Sequence, residues 1–113
     1  MELSEESSKK IQEIQFLEQQ LQAFLAQKQS IQIELNEVMN AMDELKKTKD
    51  EVYKILSGIM IKSEKEALEK ELHEKKNLSE LRINSIEKQE KLIEEKKAKL
   101  QKELMHSAHQ KKN

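Results

Sequence analysis

Two long stretches with apolar residues at helical spacing flank a short apolar segment in the middle of the chain. In the first stretch, alternating steps of three and four residues visit ten positions, of which nine are apolar. They are Ile14, Leu17, Leu21, Phe24, Lys28, Ile31, Leu35, Val38, Met42 and Leu45. This spacing predicts a helix with a coiled-coil seam. We expect the helix to span about residues 5–48, with Ser4 as its N-cap.

Lys28 is the one polar residue in this seam. Its aliphatic stem can lie along the seam while its ammonium group reaches water, so it can be a tolerated amphipathic residue. A lysine at a seam position can also fix the register of a coiled coil. The sequence leaves both interpretations open.

The second stretch has a weaker seam. Its main column recurs every seven residues and comprises Leu72, Ser79, Ile86, Ile93 and Leu100, with Leu78, Leu81, Ile83, Leu92 and Leu104 alongside. Charged residues stand where a second apolar column would run, namely Lys76, Glu90 and Lys97. The sequence Ser63-Glu64-Lys65-Glu66 has the form of a capping box. It predicts a helix over about residues 64–108, followed by a frayed basic tail at 109–113.

The central segment VYKILSGIMIKS contains the only glycine and predicts a β-hairpin over about residues 51–63. A two-residue loop Ser57-Gly58 would place Lys54 on one face with Leu56, Ile59 and Ile61. A three-residue loop Leu56-Ser57-Gly58 would instead gather Tyr53, Ile55, Ile59 and Ile61. We favour the three-residue loop, because it separates the apolar residues better from the amphipathic ones.

A chain that reverses at this hairpin places residues whose numbers sum to about 114 level with each other. Ile14 then lies opposite Leu100, and the two seams match over five heptads. The predicted fold class is therefore mainly α with a small β element. It is an antiparallel two-helix coiled coil, about 65 Å long at 1.5 Å per residue, joined by a central β-hairpin.

The hairpin has more apolar surface than one hairpin and two helix ends can bury. Val52, Ile55, Ile59 and Ile61 are all β-branched, and a lone hairpin is marginal in water. Other copies or other subunits must supply the cover. Pairing of hairpin edges into a larger sheet or an oligomeric β-barrel is the natural way to do so.

Composition narrows the class of protein. The residues are 38% charged and 35% hydrophobic, with no proline, a composition typical of coiled coils. A length of 113 residues is too short for two domains. A net charge of −1 gives no reason to expect nucleic acid as a partner. No segment approaches the ~20 apolar residues of a membrane span. The lack of cysteine fits a reducing compartment, so we expect a cytoplasmic protein.

Catalytic chemistry is not expected either. The carboxylates are dispersed, and the sequence has neither a glycine-rich phosphate loop nor a paired serine and histidine, so we predict no enzyme and no cofactor. His106 and His109 have a helical spacing that could hold a metal, but no third ligand is near them, and we expect no metal site.

Apolar residues off the seam gather toward the far ends of the two helices. They are Leu3, Ile11, Phe16, Leu104 and Met105. An apolar tip suits contact with unfolded chains. Single exposed apolar residues are also common on soluble proteins, so the pattern leaves both interpretations open.

Three stretches resemble the prefoldin β subunits, most closely the archaeal form: QQLQAFLAQKQSIQIELNEV, VYKILSGIMIKSEKE and LRINSIEKQEKLIEEK. The family usually has its turn glycine at the place of Ser57, whereas here it is Gly58. The resemblance implies an α2β4 hexamer with a prefoldin α subunit, in which hairpins form a double β-barrel body. The assembly residues would be Val52, Tyr53, Ile55, Ile59, Met60 and Ile61.

The resemblance also implies an ATP-independent holdase chaperone. Its coiled-coil tips would bind unfolded or nascent polypeptides and deliver them to a group II chaperonin. Leu3, Ile11, Phe16, Leu104 and Met105 would be the client-binding residues. The alternative is a structural coiled-coil adaptor or tether that binds a folded partner.

Overall fold

The computed structural model describes residues 4–110, and side chains as far as Ser107. Its elements are α1 (Glu5–Lys47), β1 (Val52–Leu56), β2 (Ile59–Ser63) and α2 (Lys65–Gln110). The two strands form an antiparallel two-stranded sheet. The predicted succession of helix, hairpin and helix is confirmed. None of the described helices is both long enough and apolar enough to cross a lipid bilayer.

The helix ends follow from local polar groups. The Ser7 amide donates to Ser4 Oγ at 3.1 Å, so Ser4 caps α1 as predicted. Glu5 and Glu6 lie in the first turn of α1, where the helix dipole favours negative charge. Ser63 is the last residue of β2, and its hydroxyl donates to the Ile61 carbonyl at 3.4 Å. The second helix begins at Lys65, one residue later than predicted, and the Leu68 amide donates to the Glu64 carbonyl, so Glu64 rather than Ser63 is the N-cap residue.

The hairpin turn differs from the prediction. Leu56 pairs with Ile59, which leaves a two-residue loop of Ser57 and Gly58 rather than the predicted three-residue loop. Both loop residues have positive φ, 48° for Ser57 and 78° for Gly58. Positive φ at both positions is the mark of a type I′ turn, whose twist matches that of paired strands. Ser57 adopts the left-handed conformation, which is less favourable for a residue with a side chain. The pairing of the strands therefore continues up to Leu56 and Ile59 next to the turn.

The chain is divided into two compact units. The termini unit combines the described parts of Met1–Lys28 and Ser85–Asn113, and the hairpin unit is Gln29–Asn84. In the termini unit, Lys10 lies 3.5 Å from Glu103, and Lys96 lies 3.2 Å from Glu13. These pairs sum to 113 and 109, close to the predicted 114, so α1 and α2 run antiparallel in this unit. Its buried residues are Ser7, Ile14, Leu17 and Ile86.

The hairpin unit has its own small core of Ile31, Leu35, Leu45 and Ser79. The ammonium group of Lys65, in the first turn of α2, donates to the Thr48 carbonyl at 3.2 Å, just after the end of α1. Thr48 and Leu45 also share a shallow apolar groove with Val52 of β1 and with Leu68 and Leu72 of α2. The root of the hairpin is thus held against both helix ends.

Burial follows the predicted seams closely. All ten seam positions of α1, and the five of the main column of α2, are buried or half-buried. The charged second column of α2 is half-buried as well, at Lys76, Glu90 and Lys97. Three residues placed beside this seam are instead exposed: Leu78, Leu81 and Leu92. Their side chains stay outside the buried seam, although Leu78 lines a groove that is also lined by Glu34, Glu37 and Val38 of α1.

Candidate functional site

One face of the hairpin presents an apolar pair to solvent. Ile55 and Met60 lie directly opposite each other, 70% and 67% exposed. Side chains two residues apart along a strand lie on the same face, so Tyr53 and Lys62, which are paired with each other, lie on this face too. The Tyr53 hydroxyl donates to Glu51 Oε2 at 2.9 Å, and Lys62 Nζ lies 3.0 Å from Glu51 Oε1. These two contacts hold the pKa of Glu51 below its ordinary value.

The opposite face is anchored at its root and apolar toward its turn. Val52, Lys54 and Ser63 are half-buried, and the Lys54 ammonium group pairs with the Glu71 carboxylate of α2. This hydrogen-bonded ion pair lowers the pKa of Glu71. Toward the turn, Leu56, Ile59 and Ile61 are exposed. The hairpin therefore offers apolar surface on both faces.

The predicted grouping of these residues was wrong because the loop is shorter than predicted. Tyr53 and Ile55 share a face with Met60, whereas Ile59 and Ile61 lie on the other face with Leu56. Five of the six predicted assembly residues are exposed in the single chain, and Val52 is half-buried. Leu56 was missed because it was assigned to the loop. Its apolar type next to a possible Ser57-Gly58 turn was the signal that could have identified it.

The predicted tip residues have different environments. Phe16 and Met105 are 57% and 75% exposed. Ile11 and Leu104 are only half-buried beside the seam, each next to a member of the Lys10–Glu103 pair, so they lie level with each other across the helices. Leu3 lies outside the described residues. The structure thus exposes Phe16 and Met105 and covers Ile11 and Leu104 in part.

A polar pair interrupts the seam of the termini unit. Lys28 Nζ lies 2.7 Å from Glu90 Oε1, with only 26% and 16% of the two side chains exposed. The hydrogen bond to Glu90 raises the pKa of Lys28, and the charges of Glu90, Glu87 and Glu94 act in the same direction. Among the residues described, no three His, Asp or Glu side chains are grouped so as to hold a metal ion.

Comparison with known proteins agrees with this architecture. A model of the family described as "Prefoldin subunit" matches residues 8–111. The chain belongs to the prefoldin subunit family. Prefoldin is a family of chaperones rather than of known enzymes, and membership implies assembly with other prefoldin subunits.

Individual prefoldin β subunits resemble the chain over most of its length. That of Archaeoglobus fulgidus is 38% identical over 98 residues, which cover 85% of this chain and 84% of the relative. That of Methanothrix thermoacetophila is 36% identical and covers 94% and 90%. The crystal structure of the prefoldin beta subunit from Thermococcus strain KS-1 matches with a TM-score of 0.87 at 30% identity, covering 94% of this chain and 95% of that one.

Proposed function

We propose that this chain is the β-type subunit of an ATP-independent holdase. Its hairpins, together with those of a prefoldin α subunit, build the β-barrel body of an α2β4 hexamer. The hexamer holds nonnative polypeptides in the cytoplasm and delivers them to a group II chaperonin. Family membership supports the chaperone role, and the exposed apolar surface of the described residues supports the division of tasks between assembly and client binding.

The observation that carries the assembly step is the exposure of the hairpin on both faces. In the single chain, each face exposes two apolar side chains to solvent: Ile55 and Met60 on one face, and Leu56 and Ile59 on the other. Burial of such side chains is worth roughly 1.5–3 kcal/mol each. A neighbour that covers both faces would therefore bury four apolar side chains at once.

Client binding is assigned to the exposed tip residues of the termini unit. Phe16 offers a large aromatic side chain, and Met105 a flexible thioether that adapts to many apolar shapes. One tip has few such contacts and would bind weakly. Several tips tethered in one hexamer raise the effective concentration of the next contact, which gives useful avidity and still permits release to the chaperonin.

Assembly is tested by measuring the mass of the purified chain with and without a prefoldin α subunit by native mass spectrometry. We expect a single mixed species of two α and four β subunits. A chain that stays monomeric or forms only two-chain species with the α subunit would contradict the hexamer.

Client binding is tested with Phe16→Ser combined with Met105→Ser in the intact hexamer. We expect the suppression of aggregation of a denatured model protein to fall about tenfold, as expected for the loss of ~1.4 kcal/mol or more of contact energy. Leu92→Ser is the matched control, because Leu92 is exposed on α2 in the same unit and has no proposed client role. Equal activity of the tip variant and the control would contradict tip binding.

A further inference from the structure

The Lys28–Glu90 pair places two largely covered charges in a seam whose neighbouring positions are apolar. Lys28 lies between Phe24 and Ile31 in the seam of α1, and Glu90 between Ile86 and Ile93 in that of α2. Both side chains lose most of their contact with water. Desolvation of a charged pair often offsets its attraction, so well-packed apolar residues at the same places are as stable or more stable. Stability alone therefore does not account for the pair.

Pairing between identical helices shows what the two charges exclude. In a parallel, in-register coiled coil of two copies, each seam residue meets its own counterpart. Lys28 would then meet a second Lys28, and Glu90 a second Glu90. Both combinations bring like charges together in a half-buried seam. In the antiparallel pairing of α1 with α2, the same residues meet as opposite charges 2.7 Å apart.

We propose that Lys28 and Glu90 determine the choice of helix partner, favouring α1 with α2 over α1 with α1 or α2 with α2 of another copy. Apart from Lys28, the other nine positions of the α1 seam are apolar and would suit self-association. The apolar seam provides affinity, and the charged pair provides discrimination through the repulsion it creates in the wrong pairing. This inference concerns the helices alone and holds whether or not the proposed function is correct.

The test is the double variant Lys28→Leu with Glu90→Leu in the full chain. Because the protein lacks cysteine, a single cysteine introduced at the exposed Gln27 can carry a spin label beside the site. Dipolar spectroscopy then reports whether the α1 helices of two copies come together. We expect the fraction of closely spaced labels to rise at least tenfold over the same label in the unmodified background, while the thermal midpoint stays equal or rises.

Two further variants separate partner choice from simple stabilisation. The control, Glu13→Leu with Lys96→Leu, removes an exposed α1–α2 pair of the same unit and adds the same two leucines. We expect it to leave the label distances unchanged. The exchanged pair, Lys28→Glu with Glu90→Lys, restores opposite charges and should also keep the labels apart. Unchanged label distances in the leucine double variant, or equal effects of that variant and its control, would overturn the proposal.

Discussion

The termini unit and the hairpin unit share one coiled-coil pattern but differ in how their elements are tied together. Three lysine–glutamate pairs join α1 to α2 among the described residues, and all three lie in the termini unit. In the hairpin unit, polar contacts instead hold the hairpin and its root, through Lys54–Glu71 and through Lys65 to Thr48. One unit uses its charges to join two helices, and the other uses them to orient a hairpin.

The two units also differ in how their exposed apolar residues are distributed. In the termini unit they are scattered, as at Phe16 and Met105, whereas in the hairpin unit most of them gather within β1 and β2. Scattered apolar residues suit weak, exchangeable contacts. A concentrated patch suits a permanent partner. Similar seams thus carry apolar surfaces that are arranged differently, scattered in the termini unit and concentrated in the hairpin unit.

The largest expected effect comes from charging the hairpin. Ile55→Asp with Met60→Asp should weaken assembly ~100-fold or more, since two apolar burials of roughly 1.5–3 kcal/mol each are lost. Native mass spectrometry measures the loss, and circular dichroism should show both helices retained. Ile33→Asp is the control, because Ile33 is an exposed residue of α1 in the same unit. If this control dissociates the complex equally, the hairpin is not the assembly element.

The second largest effect is a difference in stability between a buried seam residue, Leu17, and the exposed residue before it, Phe16. Leu17 is 4% exposed and Phe16 57%. Leu17→Ala should lower the free energy of unfolding by about 2–4 kcal/mol, because it opens a cavity in a thin core. Phe16→Ala should change it by less than ~0.5 kcal/mol, as expected at an exposed position. Urea unfolding followed by circular dichroism distinguishes the two, and similar losses would mean that Phe16 is covered in the folded chain.

The turn should respond to substitution with opposite signs at adjacent residues. Ser57→Gly should stabilise the hairpin by about 0.5–1 kcal/mol, since Ser57 has a φ of 48° that glycine adopts without strain. Gly58→Ala should destabilise it by about 1 kcal/mol. A Cβ at position 58 would meet nothing within 4 Å, so the loss is one of backbone conformation alone. Hydrogen exchange of β1 and β2 amides measures both; effects of equal sign would contradict the type I′ turn.

The smallest effect is a response of the hairpin to acid. The pKa values of Glu51 and Glu71 are lowered in the folded chain, so their contributions are present above the ordinary value of 4.5 and are lost as pH falls through the folded values. Tyr53 is the only tyrosine, and the chain has no tryptophan, so tyrosine fluorescence reports on the hairpin. We expect its emission to change below pH 4.5.

Substitution identifies the carboxylate responsible for that change. Glu51→Gln removes the ionisable partner of the Tyr53 hydroxyl and should flatten the acid response. Glu71→Gln removes the tie to Lys54 on the other face of the hairpin and should leave most of the response in place. The reverse order of effects would show that the anchor to α2, rather than the Glu51 contact, controls the environment of Tyr53.

Sequence predicts the parts of this fold that depend on periodicity. The α1 seam was predicted correctly at all ten positions, Lys28 included, because the 3-4 spacing leaves little choice of face. The turn was predicted wrongly. Segregation of polar residues favoured the longer loop, whereas the continuous ladder and the left-handed conformation of Ser57 produce the shorter one. Sequence alone does not show how much strain a turn residue accepts.

The tip was predictable only in part for a related reason. Heptad positions place Ile11, Phe16, Leu104 and Met105 off the main seam columns, but they do not say how far neighbouring side chains reach over them. Ile11 and Leu104 lie close enough to the seam to be half covered, whereas Phe16 and Met105 do not. Coverage depends on the partner helix: Lys10 lies 3.5 Å from Glu103, which brings together two stretches that are far apart in sequence.

Within residues 4–110 the sheet has two strands, so β1 and β2 each have one hydrogen-bonded neighbour and one open edge. Open edges with apolar flanks pair readily with any other extended segment, including another copy of the same hairpin. If other subunits cover the hairpin as proposed, a cell that makes more of this chain than of those subunits would accumulate an aggregation-prone excess. Balanced production of the subunits, or rapid removal of the surplus, would then be a requirement imposed by twelve residues of hairpin.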